Sequence, residues 1–520
     1  MLKIKQLGRK ILAVTILAAM VTAAGCGGKS TETKAPADSA TQAPADTKDT
    51  AKDTATQAPV EKAEKTKITV YRNLFNLGAP DEGEVKKVQD AINSYIGDKI
   101  NVEIDLHEFS SSEYKDKANL ALINGEVDLF WTASWIETIK ANDLVKQKAV
   151  ADLTDKLPNY DVYKSIPDWV WPGSAYAEKN YFIPVYKDMA EGYNLMFRKD
   201  LIDKYGWDLS TIKSVKDIVP MLEDCKAEGL KYPYLTQHTA MFYRYYLNKF
   251  DFFTSDDFIG VDREKDAVVD TVLTPEYKEF CTLMGDWAEK GYLSEDDLTK
   301  TTTDTTTQTQ DWGVSWWTDI PNNEEADTRY KQAVEMVRVT DDWRMSSSML
   351  GSCYAVSSTC SDEEIDACLK FISLLYTDKT VADLYTFGIE GTDYTKVDGK
   401  IEMSEKALYN HDMWESAPVT ALTFEKGEPD NKLDLYTTFN EGASVSIALG
   451  FRFDPTPVEV EYTSCQQVFN EFGYTLQHGA YSPADVQSGI DAYQKALDNA
   501  GYQKVLKEAQ TQYDEWKKTR

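Results

Sequence analysis

Past residue 66 the chain alternates short apolar strands with amphipathic helices, a pattern that only a small set of folds can satisfy. KITVYR (67–72) alternates as a strand, and 83–95 carries Val85, Val88, Ala91 and Ile92 at helical spacing. A strand over 100–106, a helix over 113–123 and a short apolar strand over 127–130 follow. Strand and helix in alternation predict an α/β fold built on a parallel, doubly wound sheet. Ligands of such sheets sit beyond the carboxyl ends of the strands. Two loops occupy those ends, one holding Asn73 and Asn76, the other running through Trp131, Ser134 and Trp135. These five residues are candidate ligand contacts; the competing role for the tryptophans is core packing.

The front of the chain reads as an export signal. Lys3, Lys5, Arg9 and Lys10 precede an apolar run over 11–21, which falls short of the roughly 20 residues a membrane span needs. Ala23, Ala24 and Gly25 then lead into Cys26, the arrangement accepted for diacylation and cleavage of a lipoprotein precursor, so residues 1–25 are expected to be removed and Cys26 to carry lipid. Two acyl chains hold a protein at a membrane without any protein span. Residues 26–66 are dominated by Ala, Thr, Asp, Lys, Pro, Gln and Glu and carry no aromatic side chain, too little apolar surface to offset chain entropy. This stretch is expected to be a disordered tether with a reach of roughly 30–40 Å.

The rest of the chain is long enough for two or three lobes. The formal charge of −30 argues against nucleic acid as a partner. Besides Cys26 there are Cys225, Cys281, Cys353, Cys360, Cys368 and Cys465. A core this large needs no bridges, so most are expected to be free and buried, with Cys353 and Cys360 the first pair to test. His107, His238, His411 and His478 are scattered without metal-ligand spacing, and no catalytic motif stands out, so neither a metal nor another cofactor is expected. Aromatic residues make up 12% of the chain, among them Trp316 and Trp317 in DWGVSWWTDIPN and Trp343 in TDDWRMSS. Sugar rings pair an apolar C–H face with a rim of hydroxyls, so a sugar site needs flat aromatics beside fixed polar groups. For Trp343 the alternative is a buried anchor.

VDLFWTASWIETIKANDLVKQKAVADL, beginning at Val127, resembles the segment of maltose-binding-type (family 1) extracellular solute-binding proteins in which a strand ends on an aromatic ligand contact. KNYFIPVYKDMAEGYNLMFRKDLIDKYGWD (179–208), which contains Tyr186, is similar to the family's first interdomain crossover. SMLGSCYAVSST with ACLKFISLLYTDKTVADLYTFGIEGTDYT (348–395) resembles the return crossover and a Gly-Ile-Glu-Gly turn holding Glu390 and Tyr394. GFRFDPTPVE and AGYQKVLKEAQTQYDEW resemble the C-terminal region of a subgroup from Gram-positive anaerobes.

The resemblance implies a two-lobe periplasmic-binding-protein-like fold (type II) with interdomain crossovers and extra C-terminal helices. Lobe one would comprise 67–185 and about 350–520 with those helices, and lobe two 186–349. It also implies an extracellular receptor that captures a small polar ligand, an oligosaccharide foremost, and serves ABC transporter permease subunits. Tyr186, Trp316, Trp317, Trp343, Glu390 and Tyr394 join the candidate ligand residues on this basis. A secreted carbohydrate-active hydrolase, and a receptor of the same fold for a peptide or other polar solute, are the alternatives. Val486, Ile490, Tyr493 and Leu497, then Val505, Ala509, Tyr513 and Trp516, recur at three- and four-residue spacing and read as a docking stripe. Replacing Cys26 by Ser is expected to release the protein from the membrane fraction; retention of the variant there would contradict the lipid anchor.

Overall fold

The computed structural model describes residues 64–520 except 76–77, 137, 253–256, 299–309, 319, 321–325 and 328–329. The signal segment, Cys26, the tether up to 63 and Asn76 lie outside the described residues. Two sheets organise the fold. Their strands, in chain order, are β1 (Thr66–Leu74), β2 (Val102–Ser110), β3 (Leu129–Thr132), β4 (Phe182–Pro184), β5 (Asn194–Arg198), β6 (Tyr232–Tyr234), β7 (Trp312–Trp317), β8 (Val334–Arg338) and β9 (Cys353–Val356). The first sheet has the order β2-β1-β3-β9-β4 and the second β8-β5-β7-β6.

The opening elements follow the sequence pattern, with ends set by local chemistry. The first helix runs Glu82–Ile100: Asp81 caps it by accepting from the Glu84 N–H, and Asn101 ends it in the left-handed region at φ 57°. β1 pairs in parallel with β2 and β3, as the alternation predicts. The sheet is nonetheless mixed, because β9 runs antiparallel to both β3 and β4. β9 enters from the second sheet and not through a helix on the first, so the right-handed crossover that enforces parallel pairing does not apply.

Each sheet has its own apolar core. One gathers residues from Ile68 to Ala190 and from Met349 to Ala443; the other gathers Tyr193 to Val314 and then Ala448 to Tyr513. The chain therefore crosses between lobes three times, near 190, 340–348 and 443–448. The three crossings pair with one another. Glu191 and Trp343 exchange N–H···O bonds of 2.9 and 2.8 Å, and on the other side Ser444 N–H donates to the Asp342 carbonyl and Ser446 N–H to that of Arg344, at 2.9 and 3.0 Å.

The third crossing corrects one expectation, for the C-terminal helices belong to the second core and not to lobe one. Helices Val486–Asn499 and Tyr502–Lys517 bury Val486, Ile490, Tyr493, Leu497, Val505, Ala509 and Tyr513 as their spacing predicts. Their partners are the helix Pro275–Glu289 and the hairpin at 259–270. Specific polar contacts fix this docking: Gln510 accepts from the Val268 N–H at 2.8 Å and the Tyr513 hydroxyl donates to Asp266 at 2.6 Å; ahead of these helices, Gln477 donates to Asp257 while accepting from the Phe242 N–H. An amphipathic stripe demands a partner but does not say which lobe supplies it. The six cysteines 225, 281, 353, 360, 368 and 465 are free, Cys353 and Cys360 included.

Leu497→Ala removes a fully buried side chain of the second core and is expected to cost about 2–5 kcal/mol. Hydrogen exchange should show the loss of protection in 193–317 and 447–517. Loss confined to 66–185 would mean that the helices stabilise the first lobe.

Candidate ligand-binding site

The topology links strand-end edges of both sheets through the crossings. In the first sheet the C-terminal ends of β1, β3 and β4 lie on the edge where β9 begins. In the second, the ends of β6 and β7 lie on the edge where β5 begins and β8 finishes. Two of the crossings run from one edge to the other, β4 to β5 and β8 to β9. The loops at these two edges are therefore placed where a ligand held between the lobes would meet both.

On the first edge four aromatic side chains form one cluster. Phe75 lies 4.9 Å from Trp414, 5.4 Å from Trp131 and 6.1 Å from Trp135, centroid to centroid, and Trp135 lies 6.2 Å from Trp414. Trp131 sits beneath, 1% exposed, with its indole N–H donating to Ser352 Oγ at 2.8 Å. This burial corrects its expected role: it supports the cluster and offers no face to a ligand. Trp135 is 51% exposed, and its N–H donates to the Gly351 carbonyl at 2.7 Å, which holds the ring while leaving its face open. Ser134 is tied down on both sides, its N–H to the Leu350 carbonyl and its hydroxyl to that of Ser347.

The second edge has a comparable surface. Strand alternation sends Trp316 and Trp317 to opposite faces of β7. Trp317 is buried against Tyr330, with its N–H on the Ile320 carbonyl, so it is a core residue and not the ligand contact expected of it. Trp316 is partly exposed; its N–H donates to the Thr236 carbonyl at 2.9 Å, and the Arg244 guanidinium lies 4.1 Å over its ring. Arg244 also stacks on Tyr243 and lies 3.3 Å from Glu191 in the first crossing. Gln237 donates to Ser315 Oγ and the Trp316 carbonyl from a loop in which Gln237 and His238 both take positive φ, 54° each. Strained backbone at a strand end is where binding loops concentrate.

The remaining candidates separate. Asn73 is buried at the end of β1, and its Oδ1 has no hydrogen-bond partner. Tyr186 is buried edge-on to Trp169, 6.5 Å away. Trp343 is the middle of the crossing ladder, its N–H on Asn248 Oδ1 and Arg263 3.8 Å over its ring. The Glu390 side chain is 57% exposed with Lys396 4.0 Å away, and Tyr394 is buried against Phe387; no contact of either reaches the aromatic cluster. Burial and adjacent carboxylates push the Tyr394 hydroxyl well above the usual phenol range. Reasoning from sequence missed Phe75, Trp414, Arg244 and Gln237. Phe75 stood inside a loop already singled out, and Trp414 is a lone Trp in a polar loop whose Asp412-x-x-Glu415 spacing signals a capped turn.

Behind Trp414 lies a buried charge cluster of Arg72, Glu108, His411 and Glu415, its side chains 0–2% exposed. Burial raises the Glu415 carboxyl above the ordinary range, whereas His411 and Arg72 hold Glu108 below it against the effect of its own burial. Asp128, Cys360 and Glu364 are the one group among the described residues with donor atoms close enough for a metal ion, within 4.8 Å of one another. Asp128 already accepts from the Thr69 N–H, and Glu364 caps its own helix.

The profile described as bacterial extracellular solute-binding protein matches residues 90–394. The chain belongs to that family. This solute-binding protein accordingly works outside the cytoplasmic membrane, and a second profile, a domain of unknown function (DUF3502), covers 447–518, from the end of the third crossing through the C-terminal helices. A carbohydrate ABC transporter substrate-binding protein of Streptococcus pneumoniae serotype 4 (strain ATCC BAA-334 / TIGR4) is 22% identical over 451 residues, 82% of this chain and 87% of the relative. The N-glycan transport solute binding protein NgtS from Streptococcus pneumoniae has the same two-lobe fold, with a TM-score of 0.74 over 87% of this chain and 99% of that one at 22% identity. Its complex with Man5GlcNAc superposes with a TM-score of 0.69 over 88% and 99%, also at 22% identity.

Trp131→Ala and Trp317→Ala should each lower stability by about 3–5 kcal/mol, while Trp135→Ala and Trp316→Ala should cost far less. Thermal unfolding of the four variants checks this. Equal losses in all four would mean that Trp135 and Trp316 are core as well.

Proposed function

We propose that this solute-binding protein captures an oligosaccharide between its lobes and passes it to the permease subunits of an ABC importer, held at the outer face of the membrane by lipid on Cys26. The observation that carries this reading is the pair of aromatic surfaces at the two sheet edges that the crossings join: Phe75, Trp135 and Trp414 on one, Trp316 with Arg244 and Gln237 on the other. Each offers a flat apolar face beside fixed polar groups, the combination that a sugar ring requires. The relatives lend support: NgtS is crystallised with Man1GlcNAc and with Man5GlcNAc, and the S. pneumoniae relative is named for carbohydrate transport. Asn73, Tyr186, Trp343, Glu390 and Tyr394 take no stacking role in this reading.

The protein is a receptor and not a hydrolase. A glycosidase needs two carboxyl groups open to the scissile bond. The carboxyls of Glu108 and Glu415, behind the first aromatic surface, are instead buried and bound to His411. A glycan array followed by calorimetry tests the reading. Trp135→Ala and Trp316→Ala should each weaken binding of the best array glycan by about 1–3 kcal/mol, the burial of one large apolar face. Affinity unchanged in both variants, or time-dependent release of reducing ends by the purified protein, would refute it.

A further inference from the structure

Arg72 on β1 and Glu108 on β2 are cross-strand neighbours facing the segment 409–416. His411 bridges two carboxylates there, its Nε2 2.9 Å from Glu108 Oε1 and its Nδ1 3.2 Å from Glu415 Oε1. A neutral imidazole has one N–H and would set its other lone pair against a carboxylate oxygen. The geometry therefore requires one more proton, carried either by an imidazolium or by the Glu415 carboxyl. With that proton the four groups sum to zero charge; without it a net negative charge is left buried, an arrangement that low dielectric penalises severely.

Groups from every side converge on this proton. Arg72 lies 3.9 Å from Glu108, donates to Ser416 Oγ at 2.6 Å and to Tyr409 Oη at 3.2 Å, and stacks over the Tyr385 ring at 4.0 Å. The Tyr354 hydroxyl on β9 donates to the carbonyl of Ser416 at 2.7 Å. Tyr409 packs edge-on to the imidazole at 5.0 Å, and Asp412 acts on Glu415 through its charge. Burial and Arg72 disfavour the imidazolium, but the two carboxylates outweigh them and raise the His411 pKa above its ordinary value.

The cluster connects directly to the aromatic surface. Glu415 Oε1 also accepts from the Asp412 N–H at 3.3 Å, Asp412 Oδ2 accepts from the Trp414 indole N–H at 3.1 Å, and the Trp414 ring packs on Phe75. We propose that His411 and Glu415 are positioning residues whose shared proton locks the 411–416 turn and so holds Trp414 in the ligand surface, making ligand capture weaken when that proton leaves. The capture half of this inference rests on the proposed sugar site; the coupling between proton and Trp414 does not. The direction follows from linkage. A histidine whose folded pKa is raised contributes stability that is complete below its unfolded pKa and is lost as pH rises through the folded value. Glu415, also raised, acts in the same sense, so the loss comes on the alkaline side.

The full chain labelled with 5-fluorotryptophan, its Trp414 signal assigned with Trp414→Phe, tests the coupling between about pH 6 and 10, a span that brackets ordinary and raised histidine values. The wild-type Trp414 fluorine shift should titrate with a midpoint above the ordinary histidine value. Glu415→Gln should abolish that titration, because the amide donates to a neutral imidazole and leaves Arg72 balanced by Glu108 alone; melting curves establish that the variant is folded. Calorimetry with Man5GlcNAc should show wild-type affinity falling roughly two- to tenfold across the same step, the value of an aromatic contact, with Glu415→Gln flat. A Trp414 signal that ignores pH in the wild type, or titrates identically in Glu415→Gln, overturns the inference. If Man5GlcNAc fails to bind while the Trp414 signal titrates as expected, the coupling stands and the assigned ligand class is what fails.

Discussion

The backbone ladder at Trp343 is the interaction on which the rest of the structure depends. Trp343 pairs with Glu191 on one side and, through its neighbours, with Ser444 and Ser446 on the other, so the crossings share one short three-stranded seam. Because two of the three crossings, β4 to β5 and β8 to β9, join the sheets at strand-end edges, the seam ties those two edges to one another. Rotation about a few such residues is how two-lobe proteins open and close. Arg263 over Trp343 and Arg344 over Trp169 anchor the seam to either side by stacking. A third crossing also explains why the C-terminal helices can leave the first core, where residues 349–443 are packed, and complete the second.

The two aromatic surfaces differ in how they are held. Trp316 is fixed by a single carbonyl and a stacked guanidinium, on a strand that already pairs on both sides. Trp414 stands on a one-turn helix with little pairing of its own, and its rigidity is borrowed from the buried charges beneath it. Buried ion clusters contribute little net stability compared with apolar packing, but they define geometry, and a ligand surface needs geometry. A ligand touching both surfaces favours the closed arrangement only through contacts that the open one lacks.

Much of this could be read from the sequence, and what could not has physical causes. The β1-helix-β2-helix-β3 opening was legible because its periodicity is local and its ends carry their own chemistry, as at Asp81 and Asn101. Resemblance located two crossings, and the structure adds a third at 443–448. Placing Trp131 and Trp135 at a strand end was sound, but which of the two is exposed depends on Phe75 and Trp414, the latter nearly 300 residues away. Alternation says that Trp316 and Trp317 point apart without saying which faces the ligand. Of the charge cluster the sequence signals only the Asp412-x-x-Glu415 turn, since His411 and Arg72 have no visible link until β2 brings Glu108 to them.

Small-angle scattering of the purified protein with and without a saturating array-selected oligosaccharide tests most directly the claim that one ligand bridges the two lobes. A bridging ligand should give a smaller radius of gyration on binding, and no such decrease when Trp135 and Trp316 are both replaced by Ala. A radius of gyration unchanged by a glycan that calorimetry shows to be bound would contradict it.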